Sequence, residues 1–186
     1  MQKNKSLTDR LILFLGNVSN LRDPYMLDHS SHVRNLSIQL AQRANFPRNK
    51  LKQLAYAATL HDIGKLVICE TVINKPARLT HAEYLMVQQH TSLGYKLIQP
   101  LDLDPIIGNV ILSHHENYDG SGYPEGLKGN AISLAARIIR ITDMYDALTS
   151  ERSYRPAYNS ERAFGVMKNK SHYFDPSLFK EFINIL

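Results

Sequence analysis

The chain has 186 residues, 44% of them hydrophobic, which suits one domain with a real core and is too short for two comfortable ones. Its single cysteine excludes an intramolecular disulfide, and the apolar run Leu66-Val67-Ile68 just before it marks Cys69 as a buried or incidental thiol rather than a catalytic one. The net charge of +5 favours anionic partners, but dispersed basic residues argue against a nucleic-acid tail, and the short apolar run Leu11 to Leu15 argues against a membrane span. The expectation is a cytoplasmic protein engaging neither nucleic acid nor membrane.

There is no internal repeat or Gly/Ser linker, so a single domain is expected over residues 1–186. Asp23-Pro24 reads as an N-cap followed by a first-turn proline. The helix after it places His29, Val33, Leu36 and Leu40 on one apolar face. Pro47 opens a second helix, in which Leu51, Leu54, Ala55 and Ala58 lead into His61-Asp62, with Gly64 ending it. Thr80-His81-Ala82-Glu83 matches a capping box and starts a helix carrying Leu85, Val87 and His90. Asp104-Pro105 starts another, through Ile107, Val110 and Ile111, that delivers His114-His115. Residues 119–129 hold four glycines and a proline and predict an irregular loop.

From Ser133 to Ser150 a helix carries two buried stripes. One is Leu134, Ile138, Ile141, Tyr145 and Leu148; the other is Ala136, Ile139, Asp143 and Ala147. Arg137 and Arg140 are left to face out, and a helix buried on two sides belongs near the centre of the fold. Shorter helices follow near Glu161 to Met167 and from Pro176 onward. No segment has the period of a strand, so the fold class is all-α.

Five of the eight histidines (His29, His61, His90, His114 and His115) and two aspartates (Asp62 and Asp143) have the character of metal ligands. An imidazole or carboxylate on an inward helical face must be paired, hydrogen-bonded or metal-bound. Imidazole mixed with carboxylate suits iron, manganese or zinc, whereas all-oxygen sets suit magnesium or calcium. Seven ligands are too many for one tetrahedral ion and suit two ions sharing a carboxylate, the equipment of a two-metal phosphoester hydrolase. His32 on a polar helix side, His81 in a cap and His172 in a late loop read as solvated.

These residues fall in blocks that resemble a known family. HDIGK (61–65) resembles the signature of the HD phosphohydrolase superfamily, and HHENYDGSGYP (114–124) resembles that of its HD-GYP subfamily. KPARLT…QHTSLG (75–94), RIIRITDMYDALTSERSYR (137–155) and FDP (174–176) match further blocks, so the resemblance covers roughly residues 20 to 180. It implies an HD-domain bundle of about seven or more helices that hydrolyses cyclic dinucleotides, typically cyclic di-GMP, to linear pGpG and on to GMP. It also implies two or three divalent ions, often iron or manganese.

Carried onto this sequence, His29, His61, Asp62 and Asp143 are the ligands of the basic HD site, Asp62 bridges, and His90, His114 and His115 supply the second metal position. A bridging water would become the attacking hydroxide. Lys65 corresponds to the lysine that approaches the substrate phosphate, and Arg152 and Arg155 to the cations on the second phosphate, a task suited to planar guanidinium groups. Asp119, Gly120, Gly122, Tyr123 and Pro124 form the GYP loop, either a structural turn or a contact for substrate or a regulatory protein. Asp119 and Asp146 are expected to support the site through hydrogen bonds rather than bind metal.

Members with three metals carry a glutamate where Tyr25 stands, a poor ligand, so two ions are expected here. His32 replaces a usual arginine, and Ser153 and Pro156 replace proline and lysine, which bears on substrate preference rather than the ligand set. Two rival readings are hydrolysis of another cyclic dinucleotide such as cyclic GMP-AMP and a non-catalytic signalling module that binds nucleotide or a partner. Loss of output on Asp62→Ala substitution separates the catalytic readings from the last.

Overall fold

The computed structural model describes residues 6–22, 26–151 and 156–186. Asp23-Pro24, Tyr25, Arg152, Ser153 and Arg155 of the sequence reading lie outside them. Among the described residues every regular element is helical and there is no strand, as the all-α reading expects. No described helix is long and apolar enough to cross a membrane.

The chain begins with α1 (Leu7–Arg22), which lies against α2 (Met26–Arg43) and α3 (Leu51–Leu60). The sequence reading assigned no helix over α1; only Ile12, Gly16 and Ser19 of its described side chains are buried, so its inward face is thin. A 3-10 turn at Arg48–Lys50 precedes α3, and a second 3-10 segment, Ile63–Val67, follows it. Short α4 (Glu70–Ile73) leads to α5 (His81–Gln88) and α6 (His90–Ile98), then α7 (Pro105–Ser113). After the 119–129 loop come α8 (Leu134–Thr149), α9 (Ser160–Asn169) and α10 (Pro176–Ile183).

Local chemistry sets most of these boundaries. The Thr80 hydroxyl accepts the Glu83 N–H at 3.3 Å and the Glu83 carboxylate accepts the Thr80 N–H at 2.7 Å, a reciprocal capping box. Asp104, Ser133, Asn159 and Asp175 cap α7, α8, α9 and α10 from one side only, each side chain accepting a first-turn N–H. The long helix expected through His90 is broken at Gln89 into α5 and α6. Leu85 on α5 is exposed, and α5 has no buried residue.

α8 packs on α2, α7, α9 and α10, and Ile138, Ile139 and Ile141 are fully buried there. Each such side chain contributes about 2 kcal/mol of transfer free energy. No residue of α8 is fully exposed, and Arg137 and Arg140, expected to face out, are only partly open to solvent. The Arg137 side chain is only 15% exposed and forms an ion pair with Asp175 at 2.5 Å. Arg140 is packed near the rings of Tyr173 and Phe174, its guanidinium 5.8 Å and 6.0 Å from their centres.

Gly64 does not end α3, which stops at Leu60. A Cβ at Gly64 would lie 1.9 Å from the His90 carbonyl oxygen and 2.6 Å from the Gly94 nitrogen. The glycine therefore lets the segment behind Asp62 run directly against the backbone of α6. Cys69 is exposed, so its neighbouring apolar run does not bury it.

Candidate metal centre

Each candidate ligand comes from a helix end or an inward helical face. His29 sits in the first turn of α2, His61 caps the C-terminus of α3, and Asp62 follows it at the start of the 3-10 segment. His90 is the first residue of α6, His114 caps α7, and Asp143 lies in the middle of α8. The structure brings these six and His115 together in two adjoining groups: Asp62, His90, His114 and His115, and His29, His61 and Asp143. Within each group the ligand atoms lie within 4.8 Å of one another.

The hydrogen bonds fix which nitrogen of each ring faces inward. His61 Nδ1 donates to the Ala58 carbonyl at 2.8 Å and His90 Nδ1 to the Val87 carbonyl at 2.7 Å. His114 Nδ1 donates to the carbonyls of Val110 and Ile111, each at 3.1 Å. A carbonyl only accepts, so these nitrogens carry the proton and the Nε2 atoms keep their lone pairs. His29 Nδ1 lies 2.6 Å from Asp146 Oδ2, giving the same result. An imidazole held this way is oriented and made more basic for a metal.

Asp62 joins the two groups. Its Oδ2 lies 3.5 Å from His61 Nε2 and 3.8 Å from His29 Nε2, while Oδ1 lies 3.2 Å from His90 Nε2 and 3.8 Å from His114 Nε2. Oδ1 is buried without a hydrogen-bond partner. Asp143 Oδ1 lies 3.3 Å from His29 Nε2. The Nε2 atoms of His29 and His61, and those of His90 and His114, approach to 3.2 Å. Converging lone pairs beside an unpartnered buried carboxylate oxygen are stabilised by a cation among them. The donor set therefore fits divalent metal.

Without metal the side chains divide: His114 and His115 are held neutral, whereas His29 is held protonated and a metal would displace its Nε2 proton. Burial pulls the His29 imidazole down, but the Asp143 and Asp146 carboxylates outweigh it and hold the ring up at about 9. Burial pushes His114 down to about 4, and burial with the neighbouring His114 pushes His115 well below the usual histidine range. Burial would raise Asp62, yet Lys65 and His61 hold its carboxyl well below the usual range. Lys65 Nζ is 2.6 Å from Asp62 Oδ2, with a quarter of the side chain open.

The loop residues divide by role. Asp119 stays in its own turn, where its Oδ1 accepts from the Ser121 N–H at 2.9 Å and the Ser121 hydroxyl at 2.7 Å. Gly120 has φ +88, the left-handed region that favours glycine. Gly122 passes so close to the chain that a Cβ would lie 2.3 Å from the Asn117 nitrogen and 2.5 Å from the His115 oxygen. The Tyr123–Pro124 peptide is cis. Tyr123 stacks on His115, with centroids 4.8 Å apart, and burial pushes its phenol pKa up.

Sequence reasoning missed four residues that hold this arrangement. Glu116 is buried, and its carboxylate accepts the N–H groups of Glu125 at 2.8 Å and Leu127 at 3.0 Å, pinning the loop; its signal was its position right after the paired histidines. Arg140 Nε donates to Asn117 Oδ1 at 2.9 Å, and Asn117 Nδ2 donates to the Ser121 hydroxyl at 3.0 Å. His32, read as solvated, has a 59% exposed side chain but reaches Asp146 Oδ1 at 3.1 Å. His81 is exposed, and His172, 56% exposed, lies 4.0 Å from Asp119.

Known proteins resemble this chain over most of its length. It is 37% identical over 162 residues to a cyclic di-GMP phosphodiesterase of Pseudomonas aeruginosa, covering 87% of this chain and 39% of that protein. It is 39% identical over 153 residues to the cyclic di-GMP phosphodiesterase response regulator RpfG of Xanthomonas campestris, covering 81% of this chain and 40% of that one. A 3'3'-cGAMP-specific phosphodiesterase of Vibrio cholerae is 33% identical over 180 residues, covering 95% and 39% respectively. The chain thus spans about two fifths of the length of these relatives. Among solved structures, an HDG"Y"P protein from Bdellovibrio bacteriovorus has the same fold, with a TM-score of 0.72 at 22% identity over 86% of this chain and 52% of its own. The HD domain sequence pattern matches residues 14–178, and the chain belongs to the HD domain family.

Proposed function

We propose that this domain is a metal-dependent phosphodiesterase that hydrolyses cyclic di-GMP to linear pGpG and on to GMP, using two divalent ions, iron or manganese. The observation that carries the reading is Asp62, whose two oxygens face two separate groups of imidazole nitrogens. A carboxylate so placed suits a bridge between two ions, His29, His61 and Asp143 completing one set and His90, His114 and His115 the other. Two such ions, when bound, supply Lewis acidity to the phosphodiester and make water a competent nucleophile at neutral pH.

The rest belongs to the chain's own side chains. Asp146 and the carbonyls of Ala58, Val87 and Val110 keep the imidazoles oriented. Lys65, bonded to Asp62 Oδ2, is positioned to transfer that hydrogen bond to a phosphoryl oxygen. Arg152 and Arg155 are proposed for the second phosphate. Tyr123, stacked on His115, closes one side of the centre and limits water there. The exposed edge of the loop at Pro124 to Gly126 offers a contact for a regulatory protein. A single cysteine, Cys69, suits a reducing cytoplasm.

A second reading, hydrolysis of cyclic GMP-AMP, is favoured by the 33% identity to the Vibrio enzyme specific for it. Anaerobic purification with metal quantification, then chromatography of products from both dinucleotides, tests both readings. Two ions per chain and pGpG from cyclic di-GMP are expected. Fewer than two ions together with no turnover would refute the hydrolase, and turnover of cyclic GMP-AMP alone would select the second reading.

A further inference from the structure

The hydrolase reading leaves one half-buried cation without a task. Arg137 and Arg140 lie on the same helix, yet they are treated differently by their surroundings. Arg137 forms an ion pair with Asp175 and bonds Asn130 through Nη1, although its Nε is buried without a partner. Among the described residues Arg140 has one hydrogen bond, from Nε to Asn117, and no carboxylate within ion-pair distance. Four of its five N–H donors are therefore uncommitted. A half-buried guanidinium with uncommitted donors and no carboxylate beside it is available to an incoming anion.

The place of Arg140 indicates which anion. It lies one turn before Asp143 on α8, and its charge acts on His115 as well as on Asp143, Tyr123 and Tyr84. Its hydrogen-bond partner Asn117 stands two residues after His115, so Arg140 borders the His115 side of the candidate metal centre. Asp143 is not its partner, because the Asp143 carboxylate is turned to the Nε2 atoms of His29 and His61. The side chain is also held rather than free. Asn117 fixes Nε and is itself fixed by Ser121 and Asp119, while the rings of Tyr173 and Phe174 lie about the guanidinium. A planar fork held in this way is organised for oxygen atoms of a phosphate.

We propose that Arg140 is a substrate-binding residue that donates to a phosphoryl oxygen of the bound phosphodiester on the His115 side of the centre, with Asn117 as its positioning residue. This rests on the hydrolase reading and adds a third source of positive charge to Lys65 and the 152/155 pair. The contact is with the phosphate and not with a base, so it is indifferent to which cyclic dinucleotide is bound.

The test uses the full, metal-loaded chain. Calorimetry measures binding of inorganic phosphate, and steady-state kinetics follow cyclic di-GMP and bis(p-nitrophenyl) phosphate, a phosphodiester without a nucleobase. Arg140→Gln is expected to weaken phosphate binding and lower kcat/KM for both substrates by roughly 10- to 100-fold, with metal content unchanged, and Arg140→Lys to recover part of the loss. Phosphate binding and KM within twofold of the parent would overturn the inference, as would loss of metal in both Arg140→Gln and Asn117→Ala. If Arg140→Gln does not fold, Asn117→Ala carries the test: weaker phosphate binding at full metal content supports the inference, and unchanged binding overturns it. A parent protein that binds phosphate through Arg140 but hydrolyses neither substrate would sink the hydrolase reading alone. A parent that binds no phosphate would sink the Arg140 inference.

Discussion

Gly64→Ala is expected to empty half of the metal centre without touching a ligand. The added methyl would lie 1.9 Å from the carbonyl oxygen of His90 and 2.6 Å from the Gly94 nitrogen. Ordinary non-bonded contact needs about 3.5 Å, so the 3-10 segment and α6 must separate by more than about 1 Å. Both obstructing atoms are backbone and cannot rotate away, which puts the cost at the upper end of overpacking, about 3 kcal/mol. For a chain of this size that lowers the melting temperature by about 6–12 °C. The clash falls on His90 itself, whereas metal–ligand distances tolerate about 0.2 Å. The group of Asp62, His90, His114 and His115 should lose its ion, while His29, His61 and Asp143 keep theirs. Circular-dichroism melting and metal quantification on the same preparation read both effects, with metal expected to fall from about two ions per chain to about one. A variant that melts within about 2 °C of the parent and keeps its full metal complement would refute the reasoning.

Gly165→Ala is the opposite case, because nothing lies within 4 Å of the added methyl and the residue is inside α9. It should stabilise the protein by about 0.5–1 kcal/mol, read by denaturant titration; a loss of stability would contradict the structure there. Asp175→Asn removes the charge opposite Arg137 and should cost about 3 kcal/mol at neutral pH. Burial pushes the Asp175 carboxyl up, but Ser177, the Leu178 N–H and Arg137 outweigh it and hold it below its ordinary value. Its contribution is thus present above an unfolded pKa of about 3.9 and is lost as pH falls through the lower folded value. Below about pH 4 the variant should lose stability less steeply than the parent, and an identical slope would count against the pair. Glu116→Ala should speed amide hydrogen exchange at Glu125 and Leu127, whose N–H groups it releases, and unchanged protection would show that the loop is held otherwise.

Much of the centre was legible because its residues sit on strongly periodic helices. His29 shares a face with Val33 and Leu40, Asp143 with Ile139, and His114 ends a run of buried Ile107, Val110 and Ile111, so helical period alone turns them inward. The same rule overstated Arg140 and Arg137, since it assigns charge to the outside of a helix and the outer side of α8 is only partly open. Gly64 was misread for a related reason. A glycine after a helix has the look of a terminator, whereas this one answers to a backbone 26 residues away, which no local pattern encodes. One helix was expected to carry Leu85, Val87 and His90; the break at Gln89 leaves Leu85 on an α5 without buried residues while keeping His90 in place. His32 was dismissed as solvent-facing, although its ring reaches the far oxygen of the carboxylate that holds His29.

The bonds from His61 and His114 back to the last carbonyls of their own helices have a consequence beyond orienting the rings. α3 and α7 both terminate where the candidate ligands begin. A helix end of this kind carries roughly half a negative charge from its aligned peptide dipoles, so the two together present about one full charge that no side chain supplies. The backbone is thus an electrostatic ligand of the centre, and it survives any single substitution among the histidines and aspartates. Affinity for a divalent ion is in part written into where two helices stop.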